Sequence, residues 1–263
     1  MMRPPRPVLV ALAVAALAAA ASSARAQTAS GTAPAPGPAP DRVRLVLNFG
    51  YWPSGPSYSD SRTLTEYAEQ TTIRTSYETG SGFGPDLALQ VRLFRGLGIL
   101  VGYSRYTRDV TGTVDVSRPH PLYLNRPRTA SAEISGYEYA EGALDLDLAF
   151  ARTAGHLDWA LFAGATLFQV ETDLLGTPTY DEEYPYDELA IVSTPAVTVK
   201  DSPTGFNVGG RLDYRFGSSR RFGAGLQVRY STASVTLKAT PEATEASFDA
   251  GGFSVGAGVR IYF

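Results

Sequence analysis

Apolar residues fall on every second position of the stretch 253–263: Phe253, Val255, Ala257, Val259, Ile261 and Phe263 alternate with small or polar residues, Tyr262 excepted. A period of two predicts a strand with one apolar and one polar face. Seven further stretches show it. In 43–51, Val43, Leu45, Leu47, Phe49 and Tyr51 share a face; in 83–93, Phe83, Leu87, Leu89, Val91 and Leu93 oppose Asp86, Gln90 and Arg92. In 97–106, Leu97, Ile99, Val101 and Tyr103 oppose Gly98 and Gly102. In 137–150, Leu144, Leu146, Leu148 and Phe150 oppose Glu141, Asp145 and Asp147. The stretch 157–167 aligns Leu157, Trp159, Leu161, Ala163, Ala165 and Leu167. In 206–216, Phe206, Val208, Leu212, Tyr214 and Phe216 oppose Asn207, Arg211, Asp213 and Arg215; in 222–231, Phe222, Ala224, Leu226, Val228 and Tyr230 oppose Gln227 and Arg229.

The connections sort by length. Short turns at Arg95-Gly96, 153–156 and 217–221 fall at one end, and long polar segments at 108–135, 171–203 and around 240–247 fall at the other. A soluble sandwich has no reason to sort its loops, whereas membrane barrels do. The fold class read from this is all-β: a transmembrane up-and-down antiparallel β-barrel of about eight strands, with short periplasmic turns and long extracellular loops. Residues 61–77 are rich in Thr and Tyr but carry Arg62, Glu66, Glu69 and Arg74. An Arg or Lys on the lipid face costs roughly 2–4 kcal/mol at mid-bilayer, so this stretch is expected as a hairpin within the first long loop; counting it in would make ten strands. A soluble lipocalin-like barrel, apolar face inward, is the alternative. The rings of Phe206, Tyr214, Phe216, Phe222, Tyr230, Phe253 and Phe263 would leave such a lumen little room.

The N-terminus changes the picture of where the chain goes. Arg3 and Arg6, an apolar run over 8–21 and Ala24-Arg25-Ala26 make 1–26 a cleavable secretory signal peptide, its apolar run too short for a membrane helix. Residues 27–41 are an Ala/Pro-rich periplasmic linker and 42–263 the barrel. The chain has no Cys, which excludes a lipoprotein anchor. Losing Arg3, Arg6 and Arg25 leaves 20 Lys+Arg against 26 Asp+Glu, a net charge near −6, which speaks against nucleic acid as a partner. Mean hydropathy is −0.09, because alternation hides a membrane face from an average.

Gly258, Ile261 and the terminal Phe263 resemble the C-terminal assembly signal of Gram-negative outer-membrane barrels. With the strand rhythm of 41–263 and the ending Gly256-Ala257-Gly258-Val259-Arg260-Ile261-Tyr262-Phe263, the chain resembles the small OmpA-like and OmpW-like, porin-like barrels. The resemblance implies the cell outer membrane as location. It also implies outer-membrane lipid and lipopolysaccharide as surroundings, the barrel assembly machinery during insertion, and a monomer. For function it implies membrane integrity, adhesion or passage of small solutes, without selecting among them.

The candidate chemistry sits on the polar faces. Arg92, Glu141, Asp145, Asp147, Arg211, Asp213, Arg215, Arg229 and Arg260 are expected to form a lumen charge network, with Glu141, Asp145 and Asp147 facing Arg211 and Arg215. A barrel of about eight strands is filled by its own side chains, so a salt-bridged plug is the first reading. A narrow channel for small solutes lined by the same charges is the second. His120 and His156 are the only histidines and fall on opposite rims, so no shared metal or dyad is expected. Ser131, Glu133 and His120 share a loop and leave a surface enzyme as a third, weaker option. The acidic, aromatic run 180–188 reads as a solvated loop edge before it reads as a cation site, and Tyr184 and Tyr186 suit a partner contact. Tyr51, Tyr103, Trp159, Tyr214, Tyr230 and Phe263 read as interfacial girdles. No catalytic residue, cofactor or metal ligand is assigned. The expected role is a non-enzymatic, plugged barrel with interaction-competent loops in the cell envelope.

Overall fold

The computed structural model describes residues 41–237 and 245–263. The signal peptide expected at 1–26, the linker up to residue 40 and loop residues 240–244 lie outside the described residues. The strands are β1 (Val43–Trp52), β2 (Ser57–Glu66), β3 (Glu69–Thr79), β4 (Gly82–Phe94), β5 (Leu97–Arg118), β6 (Arg128–Ala154), β7 (Leu157–Leu175), β8 (Thr179–Asp181), β9 (Ala190–Ser193), β10 (Ala196–Asp201), β11 (Thr204–Phe216), β12 (Phe222–Leu237) and β13 (Ala246–Tyr262). Eight close a ring in the order β1-β4-β5-β6-β7-β11-β12-β13, every neighbour antiparallel. The seam joins the first strand to the last: Arg44 pairs with Tyr262, and the ladder runs to Tyr51 opposite Val255. The Phe263 amide donates to the Val43 carbonyl at 2.9 Å and its own carbonyl accepts from the Arg42 amide at 2.9 Å, so the chain end is tied into the wall.

The apolar stripes face outward. Leu47, Phe49, Phe83, Leu87, Leu97, Leu146, Leu148, Leu161, Phe206, Leu212, Phe222, Leu226 and Phe253 are all exposed, and together they form a girdle too large for water. The lipocalin-like alternative, apolar face inward, is thereby overturned. Lower in the ring, glycines let neighbouring strands approach: a Cβ on Gly258 would lie 1.9 Å from the Leu47 carbonyl oxygen.

Above the girdle, where a polar loop is expected over 108–135, the structure instead continues β5 to Arg118 and starts β6 at Arg128. The physical reason is a change of medium. In the girdle, β5 turns Leu97 and Ile99 outward; higher up, Val110, Val114 and Val116 turn inward and are buried. Likewise Phe168, Val170 and Leu174 on β7, Val235 and Leu237 on β12 and Phe248 on β13 point inward above strand segments whose apolar residues point outward. The apolar set changes face where lipid gives way to water. The expected hairpin at 61–77 is present as β2 and β3, and β3 takes over from β4 as the partner of β5. Inside the expected loop 171–203, β10 pairs with β7.

The girdle makes a direct prediction. Leu146, in the middle of the apolar stripe of β6, is 60% exposed, and Leu124 at a loop tip is 74% exposed. Leu146→Arg is expected to cost about 2–4 kcal/mol for protein refolded into vesicles, while Leu124→Arg stays within about 0.5 kcal/mol. Urea titration read by the mobility of unboiled against boiled samples checks this; equal effects at the two positions would overturn the membrane assignment of the girdle.

Candidate functional site

The girdled part of the lumen is crossed by side chains in two layers. Asp213, fully buried on β11, gathers three guanidinium groups. Arg260 Nε donates to Oδ1 at 2.6 Å, and Arg211 Nε and Arg44 Nη1 donate to Oδ2 at 3.0 and 3.2 Å. Arg44 also reaches Asp158 at 2.7 Å, and Asp158 takes Arg215 at 2.7 Å. Arg215 goes on to Asp41, and its guanidinium lies 3.8 Å from the Tyr262 ring centroid. Strands β1 and β7 stand on opposite sides of the ring, so the Arg44 to Asp158 bond spans its diameter. The Arg211 to Gln90 bond, 2.5 Å from β11 to β4, does the same.

The second layer lies above the first. Arg229 on β12 donates to Asp145 at 2.5 Å and to Ser104 at 3.1 Å, again across the ring. Thr166 supports Asp145 at 2.7 Å, Asn207 bridges to Asp147 at 2.7 Å, and Gln227 donates to Asp86 at 2.8 Å. Val46, Ala88, Leu100, Ala149 and Phe162 fill the lumen as a small apolar cluster. Above both layers Glu141 accepts from the Tyr139 hydroxyl at 2.6 Å and the Gly251 amide at 3.1 Å, beneath an aromatic core in which Tyr58 stacks on Phe248 at 4.6 Å.

The expected charge network is thus mostly assembled, with different partners. Glu141, Asp145 and Asp147 do not meet Arg211 and Arg215; those two bind Asp213, Asp158 and Asp41, and Asp145 takes Arg229 instead. Strand parity gives the face of a side chain but not its height along a tilted stave. Arg92 stands apart, half-buried at the short-turn mouth beside a bulge in β4, with no ion pair among the described residues. Asp158, Arg44 and Asp86 belong to the layers although they were not among the residues expected in the charge network; Asp86 was expected only on the polar face of its strand. Asp158 was legible as the polar residue between outward Leu157 and Trp159.

At the far end, side chains lock three loop tips together. Arg118 binds Glu66 at 2.8 Å and Glu182 at 2.7 Å, Arg128 shares Glu182 at 2.9 Å, and the Asn125 amide donates to Glu69 at 2.7 Å. Burial alone would raise the Glu66 carboxyl, but the Thr71 hydroxyl and Arg118 outweigh it and hold the group below its ordinary range. Within the acidic run, Glu182 and Asp187 are taken by arginines, and no cluster of three or more His, Asp or Glu placed to hold a metal occurs among the described residues. His120 is buried, its Nδ1 accepting from the Leu122 amide at 3.1 Å. Ser131 points outward and donates to Asp115 at 2.5 Å, and Glu133 is exposed, so the three residues of the enzyme option are not brought together. His156 lies at the opposite mouth against the Arg215 carbonyl, at 3.0 Å. Leu122, Tyr123, Leu124 and Tyr184 remain exposed on the tips.

No protein-family model and no curated protein matches the chain. Among solved structures it is similar to the outer membrane protein OprG from Pseudomonas aeruginosa, at 11% identity and a TM-score of 0.51, over 85% of this chain and 96% of that one. The fold is a transmembrane, outer-membrane-type β-barrel. Neisserial surface protein A also matches, at 12% identity and a TM-score of 0.41 over 84% of this chain and 97% of that one. So does the outer membrane protease OmpT from Escherichia coli, at 10% and 0.43 over 86% and 98%.

Two outcomes follow from these sites. Asp213→Ala leaves Arg44, Arg211 and Arg260 without a shared counter-charge and is expected to destabilise the barrel by about 3–5 kcal/mol, read by denaturant unfolding in lipid. At the apex, a carboxyl held below its ordinary value stabilises above that value, and the contribution is lost as pH falls through the lowered one. Acidification below 4.5, the ordinary value for Glu66, is therefore expected to speed hydrogen exchange at 118–128 relative to β13. Glu66→Gln should show the faster exchange already at neutral pH; unchanged exchange in that variant would exclude the Glu66 to Arg118 clasp as the lock.

Proposed function

We propose that this protein is an integral outer-membrane barrel whose lumen is a structural plug, and whose role in the cell envelope is carried by the sheet and loops it raises above the membrane. Its turns then face the periplasm, and insertion reads the Gly258, Ile261 and Phe263 signal. The observation that supports this reading is the set of bonds running from wall to wall at two heights, Arg44 to Asp158, Arg211 to Gln90 and Arg229 to Ser104. A solute passing along the axis would have to break each of these in turn, and removing one partner of a buried pair leaves an uncompensated charge. The apolar core above the layers adds a second closure. The apex is built the other way: clasped backbone with exposed Leu122, Tyr123, Leu124 and Tyr184, whose two tyrosines are of the type that recognition surfaces favour.

The experiment is single-channel recording from the refolded protein in a planar bilayer, after heat-dependent gel mobility has shown that it is folded. The expected outcome is no discrete conductance. Reproducible steps whose ion selectivity changes in Asp145→Lys would replace the plug with the narrow-channel reading.

A further inference from the structure

Six arginines come to the short-turn end of the ring: Arg42 ahead of β1, Arg92 near the end of β4, Arg95 in the β4–β5 turn, Arg152 near the end of β6, and Arg220 and Arg221 in the β11–β12 turn. All but the half-buried Arg92 are exposed, and none has an ion pair among the described residues. Few acidic groups stand against them. Asp158 is buried on Arg44 and Arg215, Asp41 is bound to Arg215, and the Phe263 carboxylate lies at the seam. Residues 27–40 carry no charge. In a chain with 26 Asp+Glu against 23 Lys+Arg, this is a segregated charge. The other rim of the girdle differs: Asp109 and Glu138 are exposed and directly opposed on β5 and β6, with Arg105 lower on β5.

The placement of these groups adds a second observation. The Arg95 guanidinium lies 4.9 Å from the centroid of the exposed Phe94 ring, and that of Arg152 lies 5.3 Å from the Phe150 ring, which in turn packs on Trp159 at 5.6 Å. Phe150 and Trp159 belong to the outward stripes of β6 and β7, so Arg152 is held on the lipid side of the wall and not over the lumen. Arg220 Nη1 donates to the Gly155 carbonyl at 3.2 Å, which ties the β11–β12 turn to the β6–β7 turn. Exposed Tyr214, Phe216 and Phe222 continue the aromatic rim. Aromatic residues at the edge of an apolar band mark the level of lipid headgroups. The unpaired guanidinium groups therefore stand where lipid phosphates lie.

We propose that the short-turn rim is a docking surface for anionic phospholipid, its arginines taking the phosphodiester of phosphatidylglycerol-type headgroups in the surrounding leaflet. A guanidinium presents paired N–H groups that match two phosphate oxygens. A zwitterionic headgroup brings its own ammonium to the same phosphate and carries no net charge, so it gains less from the rim. The attraction of basic side chains to an anionic membrane surface accumulates with their number. The proposal needs the girdle in a bilayer but not a plugged lumen, so the conductance experiment leaves it untouched whichever way that falls.

Trp159 stands at this rim opposite Arg152 and is 39% exposed, whereas Trp52, the other tryptophan, is 2% exposed. Contact quenching by brominated lipid therefore reads the rim, with Trp159→Phe giving the background from Trp52. The protein is refolded into phosphatidylcholine vesicles containing a fixed fraction of brominated phosphatidylglycerol or of brominated phosphatidylcholine. The expected result is stronger quenching by the anionic lipid, a relative association constant of about fivefold that falls at high salt. In the combined Arg95→Gln, Arg152→Gln, Arg220→Gln and Arg221→Gln protein the preference should vanish, while Arg105→Gln at the other rim keeps it. Heat-dependent mobility shows that each variant is folded; if the fourfold variant is not, Arg95→Gln with Arg152→Gln carries the comparison and should lower the preference about twofold or more. Equal quenching by the two lipids in the parent protein overturns the proposal, as does a preference that survives the glutamine substitutions. Equal quenching together with arginine-dependent pelleting on isolated peptidoglycan overturns the lipid in favour of the cell wall as the occupant.

Discussion

Closure of the sheet on itself is the constraint from which the rest of this structure follows. In a bilayer core no water is available to a bare N–H or C=O, so a strand edge there is untenable. The β1 to β13 ladder removes the only edges the girdled strands would have. Once eight staves are closed, the lumen width is no longer free, because strand number, tilt and diameter are linked. The interior that results is narrow enough for one guanidinium to bond the opposite wall, as Arg44 does with Asp158.

That narrowness decides what the polar faces can be. The outward positions are occupied by aliphatic and aromatic residues, so the alternate positions must fill an interior without access to bulk water. Long side chains with several donors suit the task, and arginine is used at Arg44, Arg211, Arg215, Arg229 and Arg260, all but Arg211 against carboxylates from other staves. Sharing is the economy of the lower layer: Asp213 holds three arginines and Asp158 two. Buried ion pairs of this kind are weak evidence of net stability, although removing one partner is costly because it strands the other charge.

Above the girdle the same strands obey ordinary water-soluble rules. The apolar residues turn inward around Tyr58, Tyr77 and Phe248, charges move outward, and β2, β3 and β10 enlarge the sheet. The result is a folded platform where loose loops are the simpler expectation, with Arg118 and Arg128 clasping the tips through Glu66 and Glu182. Ordering the tips in advance lowers the conformational entropy that a partner would otherwise have to freeze on contact.

The alternation of residues such as Leu144, Leu146 and Leu148 against Asp145 and Asp147 was enough to specify strand, face and ring, because a period of two is a local property and lipid enforces it on every stave. The loop-length asymmetry likewise placed the short turns at one end of the ring and the long connections at the other. Two things needed the tertiary structure. The pairing of charges depended on the stagger of tilted strands, so Asp145 met Arg229 and not Arg211. The length of β5 and β6 was hidden because the apolar face reverses where lipid ends, and residues such as Val114 and Val116 among Thr and Asp resemble a polar loop when the reversal is not anticipated. Local periodicity is written in the order of residues, whereas height and stagger are properties of the closed ring.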